Sequence, residues 1–252
     1  MEPVSVSQVQ AYLACPLKYR FQYIDRIPAP WRPAALAFGS SIHSAIEWFH
    51  RERLAERSPT IEDVTAIFEA DWYAANLGRV VFGDKESKEA LGEKGAELLR
   101  LYVAETDGAL PARIEERFEI DLVDPMTGEV FDIRLHGAID LIDGDILVDL
   151  KTAARTLESG GLERHLQLST YALVFLLREG RIPKLRLDQL LKTKVPRIER
   201  QETTRTIEDL AWTARLIAGT ARAIASRHFY PNPSWRCTEC EYFAHCQGWQ
   251  GS

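Results

Sequence analysis

Three consecutive stretches decide the fold: Val130-Phe-Asp-Ile-Arg-Leu-His-Gly-Ala-Ile-Asp-Leu-Ile142, the connection Asp143-Gly-Asp145, and the run Ile146-Leu-Val-Asp-Leu-Lys151. The first alternates apolar and polar residues, as a strand with one buried face does. Asp-Gly favours a tight hairpin, so the third stretch is expected to return as a neighbouring strand. Working back, Ile114 to Val123 alternates in the same way. It is joined to Val130 by Asp124-Pro-Met-Thr-Gly128, where proline presets φ and glycine accepts positive φ. Three antiparallel strands are therefore predicted. Asp140 lies near the end of one and Asp149 near the end of the next, within one cross-strand spacing.

That placement has chemical content. Two carboxylates a few ångströms apart repel each other unless a cation sits between them. Oxygen-rich sites of this kind suit Mg²⁺ or Mn²⁺. Lys151 is two residues beyond Asp149, so both side chains share one face of the strand. A lysine there can orient a metal-bound water and stabilise charge on a phosphoryl group, and the metal acidifies that water and polarises the phosphate. Phosphodiester hydrolysis needs this combination.

Outward from the hairpin, Leu162 to Arg178 is predicted as a helix, Lys184 to Thr193 as a further strand, and Ile207 to Arg227 as a long helix. On the other side, Ser5 to Ile24 is expected to be one helix, with Val9, Leu13, Leu17 and Phe21 at intervals of four. Pro28, Pro30 and Pro33 form a stiff linker. A helical region follows from about Ser41 to Leu101. Its first helix is expected to start near Ser40 or Ser41, and its second after Pro59, with Thr60 as cap and Asp63 completing a capping box. Gly78 to Ser87 is predicted as a polar loop, with a helix from Glu89 to Thr106. The period changes after Gly108 and Pro111. The expected organisation is one domain over residues 1–252, in four segments: 1–27, 34–107, 110–200 and 205–252.

The composition, 46% apolar and 27% charged over 252 residues, is that of a globular protein. No apolar run approaches the roughly 20 residues a membrane span needs. Met1-Glu-Pro-Val-Ser is not a basic segment leading into an apolar one, so a cytoplasmic location without a membrane partner is expected. The net charge of −6 argues against a broadly basic nucleic-acid binder. Lys184, Arg186, Lys192, Lys194, Arg197 and Arg200 nevertheless fall close together, either as a local basic surface or as a solvated face. The six tryptophans are expected in the core, with one or two open to stacking on bases.

The chain has four cysteines: Cys15, and Cys237-x-x-Cys240-x(5)-Cys246. In a reducing compartment they are metal ligands or free thiols rather than disulfides. Four thiolates can hold Zn²⁺ tetrahedrally or an iron–sulfur cluster.

Gly137-Ala-Ile-Asp140, the hairpin and Asp149-Leu-Lys151 resemble the signature of the PD-(D/E)xK nucleases. Gly39-x(3)-His43 and Gln167-x(3)-Tyr171 resemble its RecB-type branch. The cysteine spacing, Ser5-x-Ser7-Gln8-x(3)-Tyr12-x-x-Cys15-Pro16 and Phe229-Tyr-Pro231 resemble its iron–sulfur subgroup, which includes the AddB nuclease domain and the CRISPR-adaptation nucleases. The resemblance spans nearly the whole chain. It implies an α/β (α+β) restriction-endonuclease-like core with a central mixed sheet flanked by helices, a helical insertion and a C-terminal iron–sulfur segment. It implies that His43, Asp140, Asp149 and the carbonyl of Leu150 bind Mg²⁺ or Mn²⁺, that Lys151 is catalytic, and that Gln167 and Tyr171 orient Lys151 or the DNA. It implies a structural 4Fe–4S cluster on Cys15, Cys237, Cys240 and Cys246, with Zn²⁺ as the alternative. Aspartate stands at position 149 where many members have glutamate. These 252 residues hold no Walker-type loop, so no helicase domain is expected among them.

The expected activity is cleavage of single-stranded or end-bearing DNA, as an exonuclease or flap-type nuclease, in recombination, repair or phage replication. CRISPR adaptation with an integrase partner is a second setting, and a non-catalytic DNA-binding scaffold is the competing class. The helices between Arg51 and Thr106 are expected to arch over the groove. Each residue also has a plainer role: His43 pairing with Glu47 one turn on, and Asp140 and Asp149 capping turns.

Overall fold

A computed structural model describes residues 2–84, 86–106, 110–158 and 160–251. Gly108, expected to mark the change of period, lies outside them. The long hairpin is present as β4 (Arg113–Val123) and β5 (Val130–Asp143), followed by β6 (Ile146–Ala153). β4 and β5 are antiparallel, with Phe118 opposite Gly137 and Ile120 opposite Leu135. β7 (Lys184–Leu191) lies parallel to β6, and β8 (Arg197–Thr203) runs antiparallel to β7. A short N-terminal strand, β1 (Val4–Ser5), pairs parallel with β5 at Leu135 and His136. The result is a mixed six-stranded sheet in the order β1-β5-β6-β7-β8, with β4 on β5.

One detail of this sheet creates the site. β5 and β6 pair through three positions only, ending at Leu141–Val148. Beyond that pair β6 follows β7, while β5 stays with β4 and takes β1 at Leu135. The two strands part, and Asp140 and Asp149 are the first residues past the fork.

Helices cover both faces. On one face α3 (Ala34–Leu54), α4 (Ile61–Ala75) and α5 (Lys88–Glu105) pack Phe38, Ile42, Phe68, Leu98 and Leu99 against Leu141, Val148, Leu150 and Leu190. On the other, α6 (Leu166–Glu179) and α7 (Ile207–Ala225) bury Leu168, Tyr171, Leu173 and Ile217 against Ile139, Leu147, Leu185 and Leu187. The alternation of the strands specifies both layers.

Several boundaries differ from expectation. The N-terminal helix is broken into α1 (Val6–Ala14), α2 (Pro16–Tyr19) and a π-turn over Arg20–Ile24, with Cys15 extended between the first two (φ −162°, ψ 107°). The residue before a proline is driven out of the α region, so Pro16 sets this kink. α3 starts at Ala34, not at Ser40 or Ser41: Ser41 Oγ bonds back to the carbonyl of Ala37 inside the helix. α6 starts four residues later than expected, with His165 as its cap. The loop at Gly78 to Ser87 contains a two-residue strand, β3 (Val80–Val81), which pairs parallel with β2 (Arg32–Pro33). β8 was not expected; its Arg197-Ile-Glu-Arg-Gln-Glu-Thr203 sequence is a charged edge strand with little apolar signal.

Gly137 has a steric reason. A Cβ there would lie 2.7 Å from Cζ of Phe118, its cross-strand neighbour. Phe118 is buried in the sheet–α6 layer, so its ring can give way only against core neighbours. Gly137→Ala is expected to cost about 1–3 kcal/mol by overpacking, read as a lower urea midpoint at unchanged slope. A midpoint equal to wild type would show that the ring yields freely.

Candidate active site

α3 is brought onto β6 by Gly39, where a Cβ would lie 3.2 Å from Thr152 Oγ1. His43, one turn on, thereby reaches β6, and its Nε2–H donates to the carbonyl of Leu150 at 2.8 Å. Its Nδ1 is 4.0 Å from Asp140 Oδ2. The expected pairing of His43 with Glu47 is not the arrangement found, since Glu47 bonds Arg51 at 2.5 Å.

Asp140 is held on both oxygens. Oδ2 accepts the Leu150 N–H at 2.8 Å, taking the place of a strand carbonyl past the fork, and Oδ1 accepts from Tyr171 O–H at 3.1 Å. Gln167 in turn donates to Tyr171 Oη at 2.7 Å. The pair four apart on α6 therefore orients Asp140, where an action on Lys151 or the DNA was expected. Neither aspartate caps a turn; both lie within strands.

Asp149 is fully buried and accepts from Lys151 Nζ on Oδ1 at 2.8 Å. Its Oδ2 is buried without any hydrogen-bond partner. Burial, reinforced by Asp140 and opposed by Lys151, pushes its carboxyl up to about 7. Burial also lowers His43, against the pull of Asp140, in the direction of the neutral form that can ligate.

Glu115 belongs to the same site and was missed in the sequence. It sits in β4, between the Ile114–Leu141 and Glu116–Ile139 pairs and so beside Asp140. Ligand atoms of His43, Glu115 and Asp140 lie within 4.8 Å of one another, the one such trio of His, Cys, Asp or Glu among the described residues. Glu115 has φ +47°, a left-handed backbone rare for a side-chain-bearing residue and costly unless the surroundings impose it. Burial, Asp140 and Glu47 push its carboxyl up to about 7. Within Ile114-Glu-Glu-Arg-Phe118, Glu115 reads as half of a solvated Glu-Glu pair, and only the register distinguishes it.

The donor set fits a small divalent cation. Carboxylate oxygens, a carbonyl and an imidazole are the ligands such ions take. With Nε2–H on the Leu150 carbonyl, His43 keeps a free lone pair on Nδ1, which stands 4.0 Å from Asp140 Oδ2. The unpartnered buried oxygen of Asp149 and the raised carboxyls of Asp149 and Glu115 are groups that a cation there would satisfy.

The expected basic cluster is largely neutralised. Arg186 pairs with Asp188, Lys192 with Glu86, Arg197 with Glu199 and Arg200 with Glu105. Trp72 is buried, while Trp212 and Trp235 are 61% and 76% exposed.

Cys15, Cys237, Cys240 and Cys246 line one cavity of about 230 Å³ with Leu17 and Phe21. Hydrogen bonds draw the two ends of the chain together there: Leu17 N–H to the Tyr230 carbonyl at 3.0 Å, Asn232 Nδ2 to the Ala14 carbonyl at 3.1 Å, and Lys18 to Glu241 at 2.8 Å. Burial, and then the other three thiols, push Cys246 up.

Comparison with known proteins agrees with this architecture. The family model described as the PD-(D/E)XK nuclease superfamily matches residues 3–247. No curated protein sequence matches. Among solved structures, a Eubacterium rectale protein provisionally described as an exonuclease superposes with TM-score 0.59 at 15% identity, over 97% of this chain and 88% of that one. SSO0001 matches at TM-score 0.39 and 17% identity, over 95% of this chain and 92% of that one. No helix among the described residues is long and apolar enough to cross a membrane. With a restriction-endonuclease-like mixed sheet, a forked strand pair carrying two aspartates and a lysine, and a family match over nearly its full length, the chain belongs to the PD-(D/E)XK nuclease superfamily.

Proposed function

We propose that this nuclease is a RecB-type, Mg²⁺- or Mn²⁺-dependent deoxyribonuclease acting on single-stranded or end-bearing DNA, with a 4Fe–4S cluster tying its termini. The observation that carries the reading is the convergence of His43, Glu115 and Asp140 beside the Asp149–Lys151 pair. His43, Glu115, Asp140, Asp149 and the Leu150 carbonyl would hold the cation. A bound divalent ion supplies an acidified water and polarises the scissile phosphate. Lys151, 38% exposed and tethered to Asp149, presents its ammonium where charge develops on the phosphoryl oxygens. Tyr171 and Gln167 hold Asp140 against rotation. A scaffold that only bound DNA would have no use for this set.

The chain reads as one nuclease domain closed by its cysteines. Among the described residues, the cysteine sulfurs do not gather into a trio within 4.8 Å. Four thiolates around one cavity suit a polynuclear cluster, with a single Zn²⁺ as the alternative. Exonuclease action fits the description given to the Eubacterium rectale neighbour. Recombination, repair or CRISPR-related processing in the cytoplasm would be the setting.

The test is a time course on 5′- and 3′-labelled linear single strands and on a covalently closed single-stranded circle, with Mn²⁺ present or omitted. Linear DNA is expected to shorten from an end, the circle to persist, and both to survive without metal. Equal cutting of the circle would remove the requirement for an end. Binding without cleavage of either would favour the scaffold.

A further inference from the structure

Resting on the metal-site reading, we propose that His165 is a positioning residue that holds the second oxygen of Asp149. His165 ends the loop between β6 and α6 and caps α6, accepting the Leu168 N–H on Nδ1 at 3.4 Å. Histidine is not among the preferred caps; serine, threonine, aspartate or asparagine would serve that purpose better. The cap, however, determines the tautomer. With Nδ1 accepting, the proton of the neutral ring resides on Nε2. That Nε2–H lies 3.9 Å from Asp149 Oδ2, the buried oxygen that has no partner, while Lys151 occupies Oδ1. A shift of about 1 Å brings the pair to hydrogen-bonding distance. His165 and Lys151 then hold one oxygen each, so the carboxylate cannot swing about its terminal torsion when it takes a cation. Carboxylate ligands are commonly steadied in this way by donors outside the metal's own shell, and loss of such a donor weakens metal binding about 10- to 100-fold.

Two substitutions separate this role from simple capping. His165→Ser and His165→Asn both keep a good N-cap and both lack Nε2. Mn²⁺ affinity is measured on the full chain by electron paramagnetic resonance titration, alongside thermal melting, with Asp149→Asn as the control that removes a ligand. The expected result is a Mn²⁺ Kd weakened about tenfold in both variants, with melting temperatures close to wild type. Wild-type Kd in either folded variant would overturn the proposal and leave His165 as a cap only. Mn²⁺ binding that is absent in wild type, or unchanged in Asp149→Asn, would instead sink the metal-site reading on which the proposal rests.

Discussion

Asp149→Asn is expected to abolish cleavage, by about 10³-fold or more, or roughly 4 kcal/mol of barrier, while leaving the metal-free fold at least as stable as wild type. The two effects have one cause. Asp149 is fully buried and, without a cation, its charge is a burden: burial raises its carboxyl from the ordinary 3.8 to about 7. Asparagine keeps an oxygen for Lys151 and carries no charge to bury. The same shift predicts a pH dependence. A group whose folded pKa exceeds its unfolded value stabilises the fold below the unfolded pKa and loses that contribution as pH rises through the folded one. Between about pH 4 and 7 the unfolded chain has released the proton and the folded chain has kept it, so stability falls with rising pH. Glu115, also raised to about 7, adds to the fall. Melting temperatures in a chelator should therefore drop from pH 5 to pH 8 in wild type and drop less in Asp149→Asn. Mn²⁺ should restore wild type at pH 8 and have little effect on the variant. Wild-type cleavage rates in Asp149→Asn would refute the assignment of this aspartate.

Loss of the cysteine site should be the other large effect. Cys240→Ser is expected to give a colourless protein, against brown wild type purified without oxygen, and to lower stability by about 2–5 kcal/mol, comparable to losing a native disulfide in a small domain. The magnitude follows from what remains. Cys15 and the C-terminal cysteines close almost the whole chain into a loop, so the cross-link removes much disorder from the unfolded state. The ends are still held by the Lys18–Glu241 pair, Tyr12 Oη to the His228 carbonyl at 2.6 Å, and Tyr242 Oη to the Ile27 carbonyl at 3.0 Å, so the core should stay folded. Limited proteolysis should then cut first beyond α7. Stoichiometric zinc in colourless wild type would overturn the cluster, and an unchanged protease pattern in Cys240→Ser would overturn its stapling role.

The contrast between Asp149 and Glu115 shows how far the chain could be read in one dimension. Asp140, Asp149 and Lys151 stand out because each is tied to a local signal: alternation, an Asp-Gly turn and the two-residue repeat of a strand. Glu115 has no such signal; it lies in Glu115-Glu116, like any solvated pair, and joins the site through pairing with a strand more than twenty residues away. His165 falls inside the helix that apolar periodicity predicts, and β8 carries too few apolar residues to signal a strand, as an edge strand can. The break at Cys15 was legible, since Pro16 forbids a continuous helix there, but the spacing of Val9, Leu13 and Leu17 outweighed it.

Local composition alone determined the β4–β5–β6 hairpins, the helices on either side of them, the cap at Thr60, and the residue types suited to a cation, because periodicity, turn chemistry and capping act over a few residues. Only the tertiary structure decided that β5 and β6 separate after Leu141–Val148, that His43 comes from one helical layer and Tyr171 from the other to meet in the gap, and that Glu115 faces Asp140. Those outcomes depend on how whole layers pack against a split sheet, which is an energy shared by many distant residues and recorded in no single stretch of them.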